Sequence, residues 1–371
     1  MNAKQEITDL TICRAVFAAW VFTYHVDLYL NFSAWLGPFA DLIRHGYLGV
    51  DGFFILSGLI LARVHPEVAG KAARMLFPPF ELPSFKTMLL FWGKRLARIY
   101  PVHLATMLIL GALVLAGLAH GWAPRDPGRF DVSSFLQNLF LVQGWGGADQ
   151  GTWNYPSWSV STEWAGYLLF PICWYLLSYF IPLVAIQVAI VGFVAMGLIF
   201  VVHGDNLNLT FSLGLVRFFP EFLIGICTAR VVHLYADFQM LRRGSFILGL
   251  VLSIASVAFG VDFAAVLGIW LVLFAFLMQA DADCPPMLGQ RPLLRRFGIL
   301  SYSFYMSFAV SELLLSQWFR RENWPPASHG ILFAGGMLGI TVILAIFLHF
   351  AVETPCRRIA DRWLAARAVS P

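Results

Sequence analysis

Residues 183–203 read LVAIQVAIVGFVAMGLIFVVH, a stretch with no charged side chain ahead of its closing histidine. Coiled as an α-helix at about 1.5 Å per residue it spans roughly 30 Å, the thickness of a bilayer's hydrocarbon core. It has no polar face to offer water, so it reads as a membrane-crossing helix. Comparable runs lie at 9–30, 46–64, 97–119, 158–180, 211–232, 245–261, 263–280, 297–317 and 330–352, which makes ten. The composition agrees: 59% of the 371 residues are hydrophobic and only 12% charged, against about a quarter charged in soluble domains. The fold class is all-α, a polytopic bundle of about ten spanning helices in a single integral membrane domain over 1–371. Disorder, a coiled coil and a small disulfide scaffold are excluded.

Charge must be read by position, because 25 Lys plus Arg against 21 Asp plus Glu leave a net charge of only +4. That excess is too small to point to nucleic acid. With the N-terminus in the cytoplasm, ten spans put both termini there. The basic groups Arg63/Lys71/Arg74/Lys86/Lys94/Arg95, Arg230/Arg242/Arg243, Arg291/Arg295/Arg296 and Arg357/Arg358/Arg362/Arg367 then share that side, as the positive-inside rule asks. Arg44, Arg125, Arg129, Arg320 and Arg321 are the exceptions. The stretch Phe135 to Trp145 is too short to cross and is expected to be interfacial or re-entrant within the long outer loop 120–157. That loop is rich in glycine, proline and aromatic residues, suited either to an interfacial belt or to substrate. The cysteines at 13, 173, 227, 284 and 356 show no close pairing, so neither a disulfide framework nor a metal site is expected. Arg14 interrupts the first apolar run, which argues against a cleaved signal peptide.

A charge in the hydrocarbon costs about 2.5–3.5 kcal/mol or more, so each one needs a partner or a role. Arg14 and His25 lie eleven positions apart in the first span, within about 20° of one helix face and roughly 16 Å apart along it. Taken singly, Arg14 can snorkel to phosphates and His25 can be a satisfied interior histidine. In the second span, HGYLGVDGFFILSGLILARVH, Asp51 falls at about the depth of His25 and Ser57 lies deeper, while the glycines allow close approach of a helix or of a substrate. In NYPSWSVSTEW, Pro156 precedes a helix start that Ser157, Ser159 or Ser161 can cap, which places Glu163 in its first turns. His25, Asp51 and Glu163 thus share the outer layer, and an imidazole among carboxylates is equipment for general base catalysis. Near the inner face, FWGKRLARIYPVH sets Arg95 and Arg98 on one helix face, a spacing suited to phosphate. Arg217 and Glu221, four apart, read as an internal ion pair.

These motifs, taken in order, resemble the membrane acyltransferase-3 family, which acylates hydroxyls of envelope glycans and of some secondary metabolites. The match runs through Arg14 and His25, GVDGFFILSG at 49–58, KRLARIYP at 94–101, PSWSVSTEW at 156–164, GILSYSFYMSF at 298–308 and VETPCRR at 352–358. The resemblance implies that His25 is the essential histidine, Arg14 its partner toward the acyl donor, and Arg95 and Arg98 a basic pair on the acyl-CoA side. Where many members end the tenth-helix pattern in histidine, this chain has Phe308.

The expected mechanism brings acyl-CoA, with acetyl as the acyl group, from the cytoplasm to Arg14, Ser57, Arg95, Arg98 and Tyr100. The hydroxyl acceptor meets Trp153, Trp158, Ser159 and Ser161 from outside. His25 removes its proton, with Asp51 or Glu163 orienting the imidazole or holding the sugar, and transfer is direct. The acceptor class spans lipid-linked sugars, polymer glycans, cyclic glucans and macrolides, and the setting is a bacterial cytoplasmic (inner) membrane. The competing reading is a transporter or flippase that uses the same buried charges, although no inverted repeat supports it.

Overall fold

The computed structural model describes residues 6–73, 82–121, 127–147, 149–204 and 206–369. Arg74, Arg125, Trp122 and Pro124 lie outside the described residues. The helices in chain order are α1 (Thr8–Leu30), α2 (Ala40–Arg44), α3 (Gly49–Val64), α4 (Phe85–Ala119), α5 (Val132–Leu139), α6 (Trp158–Tyr179) and α7 (Pro182–Val202). They continue as α8 (Gly214–Val231), α9 (Gln239–Ala258), α10 (Asp262–Asp281), α11 (Pro292–Arg321), α12 (Gly330–Leu348) and α13 (Thr354–Val369). No strand occurs among the described residues.

Each of the ten apolar stretches is a helix, with informative shifts at the ends. α4 begins at Phe85 rather than 97, because Ser84 caps it by accepting from the Thr87 amide at 3.2 Å. Its polar first turns hid that start. At 35 residues it is roughly 50 Å long, so Lys94, Arg95 and Arg98 sit within a continuous helix rather than before one. α5 has eight residues, too short to cross. Between α12 and α13 the chain makes a single π-helical turn, His349–Glu353, a feature often found at functional sites.

Among the described residues, seven helical segments are long and apolar enough to cross a membrane: Gly37–Val64, α4, α7, α9, α10, α11 and Pro326–Leu364. α1, α6 and α8 are not among them. They carry Asp9, Arg14 and Asp27, then Glu163 with several serines, then Arg217 and Glu221; Asp9, Asp27, Arg217 and Glu221 are buried, while Arg14 and Glu163 are partly buried and face a cavity. Glycines set the spacing of this inner group. A Cβ on Gly58 would lie 2.0 Å from the Phe222 carbonyl oxygen and one on Gly225 2.1 Å from that of Ile55, so α3 and α8 are in backbone contact. The glycines of 46–58 therefore serve helix packing. Those at 46, 49 and 52 face Trp20 and Phe17 of α1.

The long loop between α4 and α6 is fastened to the bundle by a buried polar network. His103 Nε2 lies 2.8 Å from the Asn138 carbonyl, Asn138 donates to Thr152 Oγ1 at 2.9 Å, and Gln143 donates to Ser157 Oγ at 2.8 Å. Asp131 caps α5, and the Ser134 amide hydrogen bond holds its carboxyl below the ordinary aspartate range.

Candidate active site

Side chains of α1, α3, α4, α6, α11 and α13 enclose a cavity of about 740 Å³. Its wall carries Arg14, Lys94, Arg95, Arg98 and Arg357, against the carboxylates Glu163 and Asp361. None of these five cations donates a hydrogen bond to another group among the described residues, and Arg95 Nε is buried without a partner. Unused guanidinium donors around a partly dry space are suited to a multiply charged anion. His65, just past the end of α3, also lines the space. Burial pushes its imidazole below the ordinary histidine range, while Glu67 at 2.8 Å pulls the other way.

Glu163 projects into this cavity rather than toward His25. Its Oε1 accepts from Ser57 Oγ at 2.6 Å and from the Tyr167 hydroxyl at 2.5 Å. Ser159 lines the same wall and shares a 2.9 Å hydrogen bond with the Tyr305 hydroxyl. The structure thus brings together Arg14, Ser57, Arg95, Arg98, Ser159 and Glu163. Tyr100 does not line the cavity and packs its ring near His103.

Asp51 lies elsewhere, fully buried in a two-pronged ion pair with Arg217. Arg217 Nε donates to its Oδ1 at 3.0 Å, and the second nitrogen reaches both Oδ2 and the Tyr47 carbonyl. This corrects the expected pairing of Arg217 with Glu221: the arginine reaches across to α3, because a fork-shaped guanidinium matches a carboxylate on a helix held at glycine contact distance. Trp158, Ser161 and Trp153 are likewise taken up in packing. Trp158 sits edge-on to Phe54, Ser161 donates to the Leu141 carbonyl at 2.7 Å, and Trp153 Nε1 donates to the Asp131 carbonyl at 3.1 Å.

His25 does not line the cavity. Its Nδ1 lies 2.8 Å from the Val21 carbonyl one turn earlier. A carbonyl only accepts, so Nδ1 carries the hydrogen and Nε2 the lone pair. The imidazole packs on Phe308 at 4.8 Å and on Tyr155 at 5.5 Å between ring centres, and Phe308 packs on Tyr305 of the cavity wall at 5.3 Å. Neither Asp51 nor Glu163 hydrogen-bonds the ring. Sequence reasoning also passed over Tyr167, Arg357 and Glu353. Glu353 sits in the π-turn and accepts from Ser303 at 2.8 Å, with His349 Nδ1 at 2.9 Å. The VETP motif that contains it was the available signal.

A multi-pass helical bundle with a cationic cavity abutting a histidine suits a membrane-embedded group-transfer enzyme. The chain belongs to the acyltransferase-3 family, whose model, described as an acyltransferase domain, matches residues 7–349. It is similar to acyltransferase MdmB of Streptomyces mycarofaciens, 31% identical over 351 residues that cover 85% of this chain and 82% of that protein. It is also similar to O-acetyltransferase OatA of Staphylococcus aureus, 25% identical over 228 residues, 57% of this chain and 33% of that longer protein. No solved structure gives a significant match. The protein is therefore a multi-pass membrane O-acyltransferase that takes an acyl donor and a hydroxyl acceptor, and the transporter reading is set aside.

Proposed function

We propose that the cationic cavity holds the phosphates of acyl-CoA entering from the cytoplasm, and that His25 activates a hydroxyl of an extracytoplasmic or lipid-linked glycan in the cytoplasmic membrane of a bacterium. Acetyl is the acyl group this reading favours, and the staphylococcal relative, an O-acetyltransferase, supports it. The observation that carries the donor half is the set of five cations around one cavity, without hydrogen-bonding partners among the described residues. Arg14 and His25 belong to one helix about 16 Å apart, a gap for the extended arm of the donor to bridge.

The chemistry balances without a metal or a covalent intermediate. The acceptor O–H gives its proton to His25 Nε2 as the oxygen attacks the thioester carbonyl carbon. The tetrahedral oxyanion collapses, the C–S bond breaks, and the imidazolium returns the proton to the departing thiolate, leaving ester and free thiol. The Val21 carbonyl, rather than Asp51 or Glu163, fixes the tautomer that this needs. Glu163, tethered by Ser57 and Tyr167, orders the cations around the donor arm. Phe308 packs between His25 and Tyr305 of the cavity wall, so the thioester passes beside this ring to reach the imidazole.

The test is coenzyme A release by detergent-purified protein given acetyl-CoA and a panel of glycan acceptors. Wild type is compared with His25→Ala and Arg14→Ala at matched folding. Release that vanishes in His25→Ala is expected. Acetyl-CoA that neither binds nor turns over in wild type refutes the donor assignment.

A further inference from the structure

Beyond His25, α1 and α11 continue side by side toward the outer surface. One turn after His25 comes Tyr29, and one turn after Phe308 comes Glu312, so this pair sits about 6 Å outward of the His25–Phe308 layer. The Tyr29 hydroxyl donates to Glu312 Oε1 at 2.5 Å. Arg129 of the outer loop brings Nη1 to 4.0 Å from the same oxygen, and its guanidinium lies 5.0 Å over the Tyr155 ring that packs on His25. Glu312 is only 6% exposed and has the Tyr155 hydroxyl close by, yet among the described residues its Oε2 has no hydrogen-bond partner, and neither has the buried Nε of Arg129. Leaving both a buried acceptor and a buried donor unmet is costly.

We propose that Glu312 and Arg129 form an acceptor subsite that grips a hydroxyl neighbouring the one to be acylated. This deepens the proposed function and rests on His25 acting at the acceptor end. The chemistry selects the ligand. A hydroxyl both donates to Glu312 Oε2 and accepts from Arg129 Nε–H, whereas an anion is repelled by the carboxylate and an ammonium group by the guanidinium. The aromatic rings of Tyr29, Phe333 and Tyr155 give the apolar faces against which a sugar's C–H surface packs. The occupant is a neutral polyol, a glycan rather than a monohydric alcohol. Arg129, an exception to the positive-inside pattern, thereby has a reason to lie outside.

Glu312→Gln is the discriminating variant, since the amide oxygen still accepts from Tyr29 while the new NH2 group no longer accepts. Binding of a panel of neutral methyl glycosides to the full purified chain is measured by calorimetry, alongside acetyl-CoA binding and transfer to ethanol and to the glycosides. At least one glycoside is expected to bind wild type and to bind Glu312→Gln and Arg129→Gln at least tenfold more weakly. Glu312→Asp recovers part of the loss, and the distant surface variant Asp237→Asn matches wild type. Acetyl-CoA affinity stays unchanged in Glu312→Gln, and transfer to the glycosides falls further than transfer to ethanol. The subsite is overturned if no glycoside binds wild type, or if Glu312→Gln leaves glycoside affinity intact or weakens ethanol and glycoside transfer alike. Failure of wild type to bind or consume acetyl-CoA while glycoside binding still depends on Glu312 refutes the donor assignment and leaves the subsite standing.

Discussion

α7 and α6 are consecutive helices of nearly equal length, 21 and 22 residues, and they use the membrane in opposite ways. α7 is apolar on every side and turns Val191, Val194, Leu198 and Val201 outward, burying only Ala185, Gly192 and Met196. α6 falls short of the same apolarity and buries Ser157's neighbours Ser159, Ser161 and Thr162 inside the bundle. Lipid is as apolar as leucine, so hydrophobicity tells a helix to enter the membrane but not to pack. Polar groups can persist only where other helices surround them. A helix as apolar as α7 therefore faces lipid, and α1, α6 and α8, which fall short of that apolarity, carry Arg14, His25, Glu163, Arg217 and Glu221 within the bundle.

If that contrast is right, substitutions on inner helices cost far more than equal ones on the rim. His25→Gln is expected to lower kcat by about 10²- to 10⁴-fold, the usual worth of a general base, while purified yield and acetyl-CoA affinity hold. Arg217→Ala leaves Asp51 buried without its partner and is expected to destabilise the protein by about 3–5 kcal/mol, read as lost monodisperse yield in detergent. The double change Arg217→Met with Asp51→Leu should recover much of that yield. Arg98→Gln removes one charge-assisted contact to the donor, about 1.5–3 kcal/mol. It is expected to raise KM for acetyl-CoA by roughly ten- to a hundredfold with kcat little altered. Leu198→Ala on α7 should shift thermal stability by no more than about 0.5 kcal/mol. A loss there as large as that of Arg217→Ala would break the comparison.

The legibility of the sequence followed the same division. Residues 183–203 and their counterparts gave the helices, because lipid imposes one simple rule along the whole perimeter. The cationic side of the cavity was also readable, since Arg14, Arg95 and Arg98 are costly wherever they sit near hydrocarbon. Partnerships were harder. Spacing along one helix suggested Arg217 with Glu221, but the ion pair spans α3 and α8, and only their glycine contact makes that reach available. Depth along the second span placed Asp51 beside His25, yet depth says nothing about direction around the helix. Trp153, Trp158 and Ser161 read as acceptor contacts, and in the structure each is engaged by neighbours of the loop and the bundle: Trp153 with the Asp131 carbonyl, Trp158 with Phe54, and Ser161 with the Leu141 carbonyl. Glu312 carried no motif. Only the buried, unpartnered oxygen made it visible.

The central claim is that donor binding and proton removal occupy opposite ends of α1. Its most direct test is a matched measurement of acetyl-CoA dissociation constant and single-turnover rate in wild type, Arg14→Gln and His25→Gln. The account predicts that Arg14→Gln weakens binding about tenfold or more, whereas His25→Gln binds as wild type does and fails to transfer. Equal loss of binding in both variants, or normal transfer by His25→Gln, would contradict it.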